Sequence, residues 1–195
     1  MTEGDTEAAA PYTDATRARL VMAYEACELA DLARAAVPIG EHELHPDGTV
    51  HSPGATLADA ARVLGAAHRF FEAAAVFERL GGASWQRIGD VLDVAPHTAR
   101  GRFATAEARF REELLSPEGA GPAGALGEVS WWRAYMAREP LEAALDLDDW
   151  VLRHEDGGSD LGTAPVSGGL VRMDAGRHIG SVPDPPGFSH DGPGE

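Results

Sequence analysis

Residues 82–103, with the sequence GASWQRIGDVLDVAPHTARGRF, constrain the fold of this 195-residue chain more than any other stretch. Ile88 and Leu92 are four residues apart, so they lie on one face of a short helix. Ser84 precedes that helix and is a favourable N-cap residue. Pro96 suits the first position of a following helix, because the N–H that proline lacks would have no partner there. The segment therefore predicts two helices joined by a tight turn.

The turn has the residue pattern of a helix-turn-helix, in which a short helix precedes a helix that can enter a DNA groove. Gly89 is predicted to lie where the two helices cross, and Val94 is expected to fill the angle between them. Asp93 occupies a turn position that often needs positive φ, which Asp adopts more readily than most residues. Ala95 lacks a capping oxygen, and Gly101 costs about 1 kcal/mol relative to alanine in a helix. The pattern therefore indicates a helix-turn-helix that is recognisable but not optimised for stability.

The second helix of the motif, predicted over 96–115, has two faces when its residues are placed about 100° apart. Its buried face is predicted to hold Ala99, Phe103, Ala106, Phe110 and Leu114. The opposite row contains His97, Gly101, Ala104 and Ala108, with Arg100 and Arg102 on either side. Small residues between two arginines suit the major groove, because base edges can approach while the arginines reach phosphates or a guanine. A helical pair that only packs, with a solvated outer face, is the alternative.

DNA contacts are predicted for the exposed side of this motif. The predicted set is His97, Thr98, Arg100, Gly101, Arg102, Ala104 and Arg87. The first three are candidates for contacts to bases. Arg102 and Arg87 are candidates for contacts to phosphates, with an internal ion pair as the alternative for Arg102.

The motif resembles the DNA-reading region 4 of bacterial sigma factors and the related small helix-turn-helix regulators. That pattern has an apolar-plus-small pair, a Leu-Gly-apolar turn and Ser-x-x-Thr-Val-x-x-Arg-Leu. The corresponding residues here are Ile88-Gly89, Leu92-Asp93-Val94 and residues 95–103, APHTARGRF. A closer resemblance is to small actinobacterial proteins that carry GASWxxIGxxLGVSxxAAxxRF after an Ala-rich helix. The likeness covers 82–115, and the preceding helix only loosely, and it implies a compact helical DNA-binding domain.

The remainder of the chain also favours helix, because it is rich in alanine and poor in β-branched residues. We expect an all-α fold in which a long antiparallel helical pair precedes the helix-turn-helix. The first helix is predicted from Asp14, as N-cap, to near Pro38, and the second over 56–80. The predicted organisation is a disordered arm (1–13), a helical domain (14–115) with its helix-turn-helix at 84–115, a linker (116–129), a short helical extension (130–154) and a mostly disordered acidic tail (155–195).

The chain has a formal net charge of −16, and all 16 of its basic residues are arginines. The charge is unevenly distributed, since 54–83 hold three acids and three arginines and 84–115 hold five of each. Acids far from the motif are largely screened, because the Debye length is about 8 Å at physiological salt. Few phosphate contacts are expected, so binding to double-stranded DNA is predicted to need a homodimer or a protein partner.

An apolar stripe on the second long helix is predicted to face the core and also invites homodimerisation. It consists of Leu57, Ala61, Leu64, His68, Phe71 and Ala75. Their spacing alternates between four and three residues, which is the period of one helix face.

A protein-interaction module, in which the helix-turn-helix is only a scaffold, is the alternative function. Its candidate surface is the aromatic segment Trp131, Trp132, Tyr135 and Met136, beside an acidic run at 146–149. These residues could bind RNA polymerase or another basic partner, or they could anchor the helical extension to the domain. We favour the anchoring role.

Other classes of site receive little support from the sequence. Cys27 is the only cysteine, which excludes an intrachain disulfide and favours a reducing cytoplasm. We expect neither a signal peptide nor a membrane span, because no apolar run approaches about 20 residues. His42, His45 and His51 lie in a turn-rich segment, and a solvated loop is favoured there over a zinc site. We expect no metal, no cofactor and no enzymatic activity, since no catalytic motif is present.

Overall fold

The computed structural model describes residues 12–41, 43–115, 132, 135, 136, 138–155 and 160–170. The regular secondary structure within them is helical and comprises α1 (Asp14–Ala35), α2 (Ala55–Leu80), α3 (Trp85–Leu92), α4 (Pro96–Leu115) and α5 (Pro140–Arg153). The prediction of an all-α fold is confirmed. None of the described helices combines the length and the hydropathy that crossing a bilayer requires. Most of the predicted arm, the predicted linker 116–129 and residues 171–195 of the predicted tail lie outside the described residues.

The start of α1 is fixed by a side-chain cap. Thr13 is the N-cap residue, and its hydroxyl accepts a hydrogen bond from the Thr16 N–H at 3.1 Å. Asp14, which the sequence suggested as the cap, is instead the first helical residue, where its negative charge suits the positive end of the helix dipole. The helix ends at Ala35, three residues before Pro38.

α1 and α2 form the expected antiparallel pair, because residue numbers rise along α1 where they fall along α2. Arg19 lies over the ring of Phe77, 5.9 Å from its centroid. Further along, the Arg69 Nε donates to the carboxylate of Glu25 at 2.9 Å. Glu25 is only 1% exposed, so this ion pair lies within the interface between the two helices.

The apolar stripe predicted for α2 faces the core only at its last two members, Phe71 and Ala75. Its first four members, Leu57, Ala61, Leu64 and His68, are all exposed. The row that faces α1 instead contains Ala66, Arg69 and Ala73, spaced three and four residues apart. The prediction was wrong here because alanines fill two neighbouring rows of α2, and periodicity alone does not show which row meets α1.

The aromatic segment before α5 belongs to the core. Trp132 and Met136 are buried, and the Trp132 ring stacks on the ring of Tyr24 of α1 with 4.2 Å between centroids. The anchoring role is therefore confirmed for these two residues. Trp131 lies outside the described residues.

A buried carboxylate attaches residues beyond α5 to the domain. Asp148 of α5 accepts hydrogen bonds from the backbone N–H groups of Val166 and Ser167 at 2.6 and 3.1 Å, and from the Ser167 hydroxyl. Residues 167–170 form a helical turn, and Leu170 is buried in the core. These residues are an ordered part of the tail predicted to be mostly disordered, because one carboxylate satisfies the first N–H groups of the turn.

Candidate nucleic-acid interface

α3 begins and ends with the capping interactions that its sequence indicates. The hydroxyl of Ser84, the N-cap residue, accepts a hydrogen bond from the Arg87 N–H at 3.1 Å, which confirms the predicted cap. At the other end, the Val94 N–H donates to the Gly89 carbonyl at 2.9 Å. These bonds satisfy backbone groups that a helix of eight residues leaves without helical partners.

The turn between α3 and α4 depends on two backbone positions. Asp93 has φ of 53° and ψ of 43°, in the left-handed region, as predicted. A Cβ placed on Gly89 would lie 2.6 Å from the Val94 carbonyl oxygen and 3.3 Å from the Pro96 nitrogen, so only glycine fits where the helices cross. The Val94 side chain is 38% exposed and so does not fill the angle between the helices as expected, and it is the Val94 carbonyl that lies against Gly89.

An apolar cluster holds α3 and α4 against α2. Its buried members are Ala75, Ile88, Ala99 and Phe103. Phe71 of α2 meets Phe103 of α4 edge to face, with ring centroids 5.4 Å apart, which is a favoured aromatic geometry. Phe71 and Ala75 are thus the part of the predicted α2 stripe that is packed.

Arg79, near the end of α2, contacts both helices of the motif and the connection before them. Its Nε donates to the carboxylate of Glu107 on α4 at 3.4 Å. Its Nη1 donates to the Ala83 carbonyl, and its guanidinium lies over the ring of Trp85 of α3, 4.4 Å from the centroid. One side chain therefore fixes the orientation of the helix-turn-helix relative to α2.

Glu107 is a buried, ion-paired residue that the sequence analysis did not predict. It is 6% exposed and lies on the buried side of α4, between Phe103 and Phe110. Arg111 supplies a second ion pair to its carboxylate at 2.7 Å, in addition to that from Arg79. The available signal was an acid within the apolar row of α4, which indicates a buried pair when an arginine lies on a neighbouring helix.

The opposite side of α4 is open to solvent. His97, Thr98, Arg100 and Gly101 are exposed, and a Cβ placed on Gly101 would meet no atom within 4 Å. Within the described part of the chain, no carboxylate forms an ion pair with Arg100. Among the described residues, the first half of α4 therefore presents an exposed ridge with one arginine on it.

The remaining members of the predicted set occupy the borders of this ridge. Arg87 on α3 is exposed, and Ala104 is partly buried. Arg102 is exposed, and its guanidinium lies over the rings of Phe71 and Phe103, at 4.8 and 5.2 Å from their centroids. It therefore stacks where α2 and α4 meet. The sequence had suggested a phosphate contact for Arg102, with an internal ion pair as the alternative. A stacked guanidinium keeps N–H groups at its edge available to an anion.

The histidine-rich loop does not assemble a metal site in the residues that the structure describes, where no three His, Cys, Asp or Glu side chains are grouped suitably. His45 and His51 come together through the Leu44–Val50 bridge, with ring centroids 3.5 Å apart. His42 lies outside the described residues.

Comparison with known proteins gave no match to a family model, to a curated protein or to a solved structure. The resemblance to sigma-factor region 4 therefore rests on the residues of the motif alone.

Arg79→Met is expected to lower the free energy of unfolding by about 2 kcal/mol, because the buried Glu107 loses one of its two cations and Trp85 loses its stacking partner. Urea unfolding followed by circular dichroism measures this change. Arg62→Met is the matched control, since Arg62 lies exposed on the same helix and, within the described residues, pairs with Asp59 of the preceding turn. The control should change stability by less than about 0.5 kcal/mol. Equal stabilities of the two variants would contradict the role of Arg79.

Alanine at the two motif glycines is expected to act in opposite directions. Gly89→Ala should destabilise the protein by about 2 kcal/mol, because the new Cβ collides with the Val94 carbonyl. Gly101→Ala should stabilise it by up to about 1 kcal/mol, since the site is open and alanine favours helix. Thermal unfolding compares the two variants. Stabilisation by Gly89→Ala would show that the crossing is not tight, and destabilisation by Gly101→Ala would show that the site at Gly101 is not open.

Proposed function

We propose that this chain is a DNA-binding transcription regulator or sigma-like factor that places α4 in the major groove. The observation that carries the proposal is the two-sided character of α4. Ala99 and Phe103 are buried against α2 and α3, whereas His97, Thr98 and Arg100 face solvent. A recognition helix needs this division, because it must be held firmly from behind and be free in front.

The exposed ridge suits a groove in size as well as in chemistry. The major groove is about 12 Å wide, close to the diameter of a helix with its side chains. Gly101 reduces the height of the ridge at its centre and so permits close approach to base edges. Arg100 has the planar fork that binds both acceptors of a guanine, and His97 and Thr98 offer shorter polar groups in the first turn. Arg87 and Arg102 flank the ridge at positions suited to phosphates.

Burial of Glu107 improves the electrostatics of this surface. Arg79 and Arg111 neutralise its carboxylate inside the domain, so it adds little negative potential at the ridge. Glu112 lies about 18 Å from Arg100 along the helix axis, which is more than two Debye lengths at physiological salt. Asp90 and Asp93 are nearer and exposed, so the local field is weak and few phosphates are contacted.

A homodimer would compensate for weak binding by a single motif. Leu57 and Leu64 lie one heptad apart on α2 and are 75% and 58% exposed. In the adjoining loop, Val37 and Ile39 are 77% and 75% exposed. Apolar side chains at this end of the α1–α2 pair are suited to contact with a second copy, which would present two recognition helices to one duplex.

A cytoplasmic location and RNA polymerase as a protein partner belong to the same proposal.

Burial of two aromatic-segment residues favours DNA binding over the protein-interaction alternative. Trp132 and Met136 are 6% and 2% exposed, so they are not available to a partner at the surface. Tyr135 is partly buried, and its hydroxyl bonds to Asp146 at 3.2 Å. Of the described residues of that docking surface, Trp132 and Met136 therefore contribute their apolar area to the core instead.

Duplexes selected from a random pool and measured by fluorescence anisotropy test the proposal. Affinity should fall as salt is raised from about 50 to about 200 mM, with a shallow slope that reflects few phosphate contacts. Arg100→Ala should weaken binding about tenfold. The control is Arg62→Ala, an exposed arginine on α2 remote from the ridge in sequence, which should leave affinity nearly unchanged. Absence of binding at the lowest salt, or equal losses in the two variants, would refute the proposal.

A further inference from the structure

A cavity of about 950 Å³ lies between α1, α2, α5 and the turn at 167–170. Its described walls are mainly apolar and include Leu20, Phe70, Phe77, Trp150 and Leu170. Small-molecule sites in proteins are typically about 300 to 1,000 Å³ and mostly apolar. The cavity thus has the size and the lining of a ligand site, and it lies away from the ridge of α4.

The charge of this cavity is opposite to that of the chain. Among its described lining residues, Arg19 is the only charged side chain, and no aspartate or glutamate contributes. Arg19 is exposed, so it stands where the cavity meets solvent. Its guanidinium rests over Phe77, and no described carboxylate lies within ion-pair distance of it. In a chain of net charge −16, one cation thus lies beside an apolar space to which no described lining residue contributes a carboxylate, and Asp31 at its edge is bonded to the Trp150 indole.

Polar contacts at the edge of the cavity fix the positions of its walls. Trp150 lines the space, and its indole N–H donates to the carboxylate of Asp31 on α1 at 3.0 Å. Asp148 fixes the backbone of Val166 and Ser167, which positions the wall formed by the turn. These contacts position α5 and the turn relative to α1 without filling the space between them.

We propose that this cavity binds an amphipathic organic anion, an apolar molecule with one carboxylate. The apolar part lies among Phe70, Phe77 and Leu170, and the carboxylate pairs with Arg19. A neutral apolar molecule would be stabilised by burial of its apolar surface but would form no ion pair with Arg19. An organic cation would be repelled by Arg19. The proposal concerns a second site and does not depend on DNA binding.

Cys27 provides a reporter inside the cavity. It is the only cysteine of the chain and lines the space from α1. Burial, with nearby Asp31 and Glu28, raises the pKa of its thiol to about 11. Thiolate is therefore scarce at neutral pH, and alkylation is best followed at about pH 9. A molecule in the cavity should slow that alkylation by covering the Sγ atom.

Calorimetric titration of the full chain with decanoate, decanol and decyltrimethylammonium tests the assignment. Decanoate should bind most tightly and should protect Cys27 from alkylation. Arg19→Gln should weaken decanoate about fivefold and leave decanol unchanged, because only the ion pair is lost. Arg34→Gln, an exposed arginine of α1 that does not line the cavity, should bind decanoate as the natural chain does.

Ala26→Trp fills the cavity from α1 and should abolish binding of both decanoate and decanol while the helical circular dichroism is retained. Decanoate binding without protection of Cys27, or equal losses in Arg19→Gln and Arg34→Gln, would overturn the proposal. Absence of binding of all three probes would also overturn it.

Discussion

Arg79 connects the helical pair to the helix-turn-helix. It bonds to Glu107 of α4 and to the Ala83 carbonyl, and it stacks on Trp85 of α3. Apolar contacts around Phe103 supply most of the burial in this region, but they are not directional. The guanidinium has fixed geometry, so it determines the angle at which the motif stands on α2. The open face of α4 depends on that angle, because a rotated α4 would turn His97 and Arg100 toward the domain.

The same ion pairs shape the charge of the surface that we propose binds DNA. Five acids and five arginines make residues 84–115 neutral on balance, yet the charges are not equivalent in space. Glu107 is buried between Arg79 and Arg111, whereas Arg87 and Arg100 remain at the surface. Arg79 and Arg111 neutralise Glu107 away from the ridge, so the arginines of the ridge itself do not have to pair with it. The distribution of charge, and not its sum, therefore decides whether a duplex can approach.

Features set by neighbours in sequence were predictable from the sequence. Ser84 caps α3 and Asp93 adopts positive φ because each acts on backbone a few residues away. Gly89 follows from the same local geometry, since the tight turn brings the Val94 carbonyl back over it. The exposure of His97 and Arg100 also followed from the wheel of α4, because Phe103 and Phe110 define its buried face without ambiguity.

Features set by the choice of tertiary partner were not predictable in this way. Leu57 and Leu64 had the period of a core face, but α1 meets α2 along the adjacent row of alanines. The burial of Glu107 requires Arg79, which is 28 residues away. The turn at 167–170 depends likewise on Asp148, and its Gly- and Pro-rich surroundings resemble disorder when read alone. In each case the side chain is evident in the sequence, but the helix or turn that it contacts is not.

The claim that α4 reads DNA with its outer face is tested most directly by an NMR titration of the labelled protein with a selected duplex. The largest amide shift changes are expected at 97–104 and at Arg87, with little change in α5. Changes concentrated on α5 and Tyr135, with α4 unaffected, would contradict it and would assign the interaction to a different surface.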